Sequence, residues 1–203
     1  MSNPLAGQGA SAKGAESAQA ALDEGRRIGA RTERERDYIE AAAAYYQDFA
    51  KHTERERQVA RARAYEALAQ RYPADDEVQL FLALALLGAD EGKRDLPRFL
   101  RAAEISKAVY RHNPRHPGAA HYWIHGMDDP QHAAGALEAA NSLAKIAPDA
   151  GHSQHMVSHI FIALGRWPDV INANIAAMGV VNADLKAKGQ PEYQCGHYAE
   201  WLQ

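Results

Sequence analysis

The chain has 203 residues, 46% of them apolar and 24% charged, with a formal charge of −3. That apolar content suffices for a packed core, and the 23 basic and 26 acidic residues interleave, leaving no basic face for nucleic acid or anionic membrane. One cysteine, Cys195, excludes an internal disulfide framework and any CxxC motif, and no apolar run is long enough for a membrane helix.

The opening MSNPLAGQGASAKGAES lacks the basic and apolar regions of an export signal, so the chain as it stands is expected in the cytoplasm. Residues 1–14, rich in Gly, Ser and Ala, read as a flexible N-terminal tail, and residues 15–203 as a single helical-repeat domain. From Ala15 to Ala30, ESAQAALDEGRRIGA is a helix ended by Gly29 and looks like half a repeat. Thr32 opens the next helix, whose apolar stripe Tyr38, Ile39, Ala42, Ala43, Tyr45, Tyr46 and Phe49 predicts helix throughout that stretch. Thr53 opens another, ERERQVARARAYEALAQRYP, closed by Tyr72–Pro73. The charged residues of both helices fall at spacings of three and four, a solvated face with weak ion pairs.

After Asp75 and Asp76, the run LFLALALLGA predicts a buried helix, and residues 88–97 a polar loop leading to RFLRAAEISKAVYRHNP. Two further helix pairs follow, turning at Asp128–Pro130 and at Gly165–Pro168. The units are 15–30 (a half), 32–73, 75–114, 115–148, 149–190 and a partial 191–203. Pro114 and Pro148, His121 and His155, and His125 and His159 are each 34 residues apart, and Pro73 to Pro114 is that period plus seven. Helical filling at this period predicts an all-α fold, a tetratricopeptide-like helix-turn-helix array forming a right-handed α-solenoid. Neither end carries a polar capping repeat, so the expectation is a fragment of a longer array.

Eight of the ten histidines lie between residues 112 and 159. His121 with His125, and His155 with His159, each form one helical stripe at i, i+4. In stacked repeats the equivalent first helices lie side by side along the concave wall, so these four imidazoles are expected to meet across one gap. They form a candidate site for a transition metal, Zn, Cu, Ni or Fe, with Asp128, Asp129 or His152 in support. Alternatively the histidines pack the wall, hydrogen-bond a neighbouring helix, or bind a carboxylate when protonated. No HExxH is present, and a nucleophile pairing Ser158 or Cys195 with a histidine is a further alternative. His52 and His112 read as surface residues, and Trp123, Trp167 and Trp201 as packing between helices.

The runs HPGAAHYWIHGMDDP, IAPDAGHSQHMVSHIFIALGRW and CGHYAEWL resemble a group of bacterial tetratricopeptide-repeat proteins with no assigned reaction. TERERDYIEAAAAYYQDF and RYPADDEVQLFLALALL resemble the preceding repeat of the same family, so the likeness extends from about residue 20 to the end. Family members are longer on both sides and often begin with an export signal, which implies a longer, exported parent. Val157 stands where the family often has Pro or Thr. The matching positions are His116, His121, His125, His152, His155, His159, His197 and Cys195, and with Asp128 they are the ligand-binding candidates. Two functions are expected: a scaffold presenting a histidine-lined concave surface to a peptide, protein or small ligand, or a metal-binding protein or metal-dependent enzyme built on His121, His125, His155 and His159.

Overall fold

A computed structural model describes residues 9–89 and 94–202. The fold is all-α, with no strand among the described residues. Two compact units emerge, Met1–Ala102 and Ala103–Gln203, the division falling inside one helix.

In the first unit, α1 spans Ala12–Ile28, starting earlier than expected because the Ser11 side chain accepts from Gly14 N and caps it. Of the expected tail, residues 12–14 are thus helical, and residues 1–8 lie outside the described residues. Helices α2 (Glu33–Ala43) and α3 (Glu54–Arg71) both begin in capping boxes, Thr32 with Glu35 and Thr53 with Glu56. Each box satisfies two amide donors that the first helical turn leaves open.

One expectation fails here. The stripe through Phe49 predicts helix, but α2 stops at Ala43, and the chain turns through Asp48 (φ 49°) into a short 3-10 turn, Phe49–Lys51. Adjacent residues on a helix point about 100° apart, so Tyr45 and Tyr46 could not both face one core from it. In the turn both are buried, with Ala15 in the same cluster, and the Tyr45 hydroxyl donates to Glu54 (2.6 Å) and accepts from Ala10 N (3.1 Å). Helix α4 (Asp76–Gly88) is the expected buried helix: Val78, Leu80, Leu82, Ala83, Ala85, Leu86 and Leu87 are all enclosed. Part of the predicted polar loop, residues 90–93, lies outside the described residues.

Helix α5 (Leu96–His112) carries the boundary between the units. The second unit continues with α6 (Pro117–Gly126), a 3-10 turn at Ala133–Ala136, α7 (Leu137–Ile146), α8 (Gly151–Ala163), α9 (Trp167–Ala187) and the short α10 (His197–Glu200). The turns fall where expected, the second through Gly165 at φ 68°, a conformation glycine adopts without a Cβ clash. The core of this unit is Trp123, Ile124, Leu143, Met156 and Ile160, all at most 2% exposed.

A detail recurs between the units. Gln79 Nε2 donates to the carbonyls of Ala69 and Pro73, and Gln154 Nε2 donates to those of Ala144 and Pro148. Each glutamine stands ten and six residues after its acceptors and ties its helix to the last turns of the helix before it and to the loop between them. The two are 75 residues apart, the sum of the 34-residue period and the 41-residue unit. Among the described residues, no helix is long and apolar enough to cross a membrane.

Candidate metal centre

Helix α6 is short, begins at Pro117 and buries Trp123 and Ile124 on one side. His121 and His125 lie on another side, one turn apart. Helix α8 buries Met156, Val157 and Ile160, and His152, His155 and His159 stand on it at i, i+3 and i+7. That spacing is one helical stripe. Gly151 allows the start of α8 to sit against α9, since a Cβ there would come 2.7 Å from Val181 Cγ2 and 3.2 Å from the Ala177 carbonyl oxygen.

The histidines gather into two groups of three: His121, His125 and His152, and His155, His159 and His197. Within each group the candidate ligand atoms lie within 4.8 Å of one another, close enough to hold a metal ion. In the first group, His121 Nε2 is 3.0 Å from His125 Nε2 and 3.2 Å from His152 Nε2. In the second, His155 Nε2 and His159 Nε2 are 3.2 Å apart, and the His197 ring centroid lies 4.4 Å from that of His155. Two imidazoles on one ion at about 2.0–2.1 Å hold their nitrogens about 2.9–3.4 Å apart at angles between square and tetrahedral. The observed separations fall inside that window.

Hydrogen bonds fix the second group. His159 Nδ1 is 2.8 Å from Asp128 Oδ2, and His155 Nδ1 is 2.6 Å from Asn174 Oδ1. The Asn174 amide is oriented by its own nitrogen, which donates to the Val170 carbonyl at 2.9 Å. Both Nδ1 atoms therefore carry their proton towards an oxygen, and in neutral rings both Nε2 atoms present lone pairs. Two lone pairs facing each other at 3.2 Å repel unless a cation lies between them.

Burial disfavours a proton on His155 for that purpose. Burial, followed by the charges of His159, His197 and His152, pushes His155 down to about 4 against the opposing Asn174 bond. Burial, with His152 and His159, pushes His121 to about 3, and His152 is lowered by burial and by His159 and His197.

Each group thus combines an i, i+4 pair from one helix with an exposed histidine from another element, His152 from α8 and His197 from α10. The expectation of one gap shared by His121, His125, His155 and His159 becomes two adjoining groups: His152 of α8 joins the α6 pair, and His155 and His159 join His197 of α10. Across the groups, the ring centroids of His125 and His159 are 6.2 Å apart. Asp128, foreseen in support, is bonded to the Nδ1 side of His159.

Cys195, a ligand-binding candidate, is exposed and outside both groups; His197, two residues later, joins the second. Gly196, at φ 114°, turns the chain just before His197, and a Cβ there would meet the Tyr193 hydroxyl at 2.7 Å. His116 is the N-cap residue of α6 and belongs to neither group. Asp129 accepts from His132, whose Nδ1 is 2.7 Å away, and from the amides of Gln131 and His132, and so shapes the turn. The Ser158 hydroxyl donates to the His155 carbonyl at 2.6 Å, which commits the proton a nucleophile would have to give up.

Sequence reasoning missed Asn174 and read Trp201 only as packing between helices. Asn174 interrupts the buried face Val170, Ala173, Ala177 of α9, and a polar residue at an apolar position was its signal. Trp201 lies against His159 (ring centroids 4.6 Å apart) and His155 (4.9 Å) and covers the second group. Comparisons of this chain with protein-family models, with curated proteins and with solved structures each gave no match.

Proposed function

We propose that this protein binds transition metal on six of the histidines of its second unit, His121, His125 and His152 on one ion and His155, His159 and His197 on the other. The observation that carries the reading is the arrangement of His155 and His159. Their Nδ1 protons are committed to Asn174 and Asp128, and their Nε2 lone pairs converge. A metal with imidazole-only ligation belongs to the zinc, copper, nickel and iron set, and copper(II) is the tightest binder of the divalent series.

If Asn174 and Asp128 hold the ligands in register, Asn174→Leu and Asp128→Asn should each weaken metal at the second site about 10–100-fold, the usual effect of removing an imidazole's outer partner. Competition against a chelator of known affinity measures this. Unchanged affinity in both variants would contradict the assignment.

The helical hairpins fit tetratricopeptide-like repeats of an α-solenoid, a reading supported by the 34-residue period and by the matching roles of Gln79 and Gln154. A second function, binding of a protein or peptide, is favoured by α9. Trp167, Ile171 and Ile175 form an i, i+4, i+8 stripe and are 59%, 46% and 56% exposed.

A further inference from the structure

The two histidine groups share a helix, and their contacts cross from one group to the other. Between them, His125 and His159 have ring centroids 6.2 Å apart, and His152 and His155 have theirs 6.5 Å apart. Two divalent ions so placed would repel each other strongly, with four times the energy of two unit charges at the same separation. Neither group contains a carboxylate. Asp128 is bonded to the far nitrogen of His159, and Asp129 to His132. One carboxylate beside a ligand leaves most of a charge of four uncompensated, in surroundings that include the fully buried His155.

We propose that the six histidines form one dinuclear centre, in which the two ions are bridged by a small exogenous anion such as hydroxide. This rests on the metal-binding reading above and adds to it that the two sites act as a unit. The anion supplies the negative charge that the protein withholds. His152 and His197 are exposed and mark where it enters. Bridging of two copper(II) ions by one atom couples their unpaired electrons, so the pair loses its paramagnetic resonance. The ligand class is a small oxygen or nitrogen anion, and azide is its convenient probe.

The test loads chelator-stripped protein with copper(II), counts bound copper by elemental analysis, and integrates the resonance signal with and without azide. The expected result is two coppers per chain with nearly all of the signal missing, and one azide bound per pair. The His121→Ala/His125→Ala variant should then bind one copper and show its full signal, so that losing metal makes the protein more paramagnetic. Two coppers with a full two-spin signal, and one azide on each, would overturn the bridged centre while leaving metal binding intact. One copper in the wild type would overturn it as well. No copper at all would overturn the metal-binding reading with it. The wild-type spin count stands without the variant, whose helicity is checked by circular dichroism.

Discussion

Truncating Trp123 to alanine is expected to destabilise the second unit by about 3–5 kcal/mol, the usual cost of removing a fully buried large aromatic. Trp123 is 2% exposed, packs edge-on against Tyr110 with ring centroids 5.5 Å apart, and donates its indole N–H to Met127 Sδ at 3.3 Å. It lies between His121 and His125 in sequence and fastens the opposite side of α6. Its loss should therefore both lower the unfolding midpoint and loosen the first histidine group. Denaturant unfolding and a metal titration of the same variant measure the two effects. Trp167→Ala is the control: at 59% exposure it should shift stability by less than about 0.5 kcal/mol. Equal effects from the two tryptophans would contradict the packing described for α6.

Replacing His155 by alanine should have a double effect. His155 and Asn174 are both 0% exposed, so the variant leaves a cavity and an acceptor, Asn174 Oδ1, without its donor. In metal-free protein the expected loss is about 2–5 kcal/mol, from cavity and orphaned acceptor together. Metal at the second site should be lost as well. The His155→Leu/Asn174→Leu variant separates the two roles. Replacing both partners of a buried hydrogen bond by apolar groups of similar size can be nearly neutral, so most of the stability should return. The metal should not. If the double variant regained stability and still held metal at the second site, His155 would be a packing residue and not a ligand.

The helices were legible because their signals are local. Thr32, Thr53 and Asp75 announce helix starts by side chains that cap the following amides, and Gly29 and Gly165 announce their ends. The failure at Tyr45 and Tyr46 has the opposite origin. Their period matches a helix, but a core shared with Ala15, some 30 positions earlier in the chain, outweighs it, and no window of local sequence contains that partner. The histidines show the same division. The spacing of 34 placed His121 with His155 and His125 with His159 at equivalent positions, and so named four of the six ring donors; His152 and His197 stood beside them as ligand-binding candidates. Grouping them required knowing that His152 leans back to α6, and this depends on the close seat that Gly151 gives α8 against α9. Cys195 stands four residues after Pro191, as His152 does after Pro148, and so looks like the third donor of the second group. A glycine turn at Gly196 puts His197 there instead. Asn174 was overlooked for a simpler reason: its signal, a polar residue among apolar ones, gains meaning only once its neighbours Val170, Ala173 and Ala177 are seen to face inwards.

The measurement that bears most directly on the metal centre is elemental analysis of purified, untagged protein beside the His121→Ala/His125→Ala/His155→Ala/His159→Ala variant. Two equivalents of a transition metal in the wild type, absent from a variant that keeps its helicity, is the predicted result. Metal-free wild type after growth and purification with copper and zinc supplied, or equal metal in both proteins, would contradict it and return the histidines to helix packing.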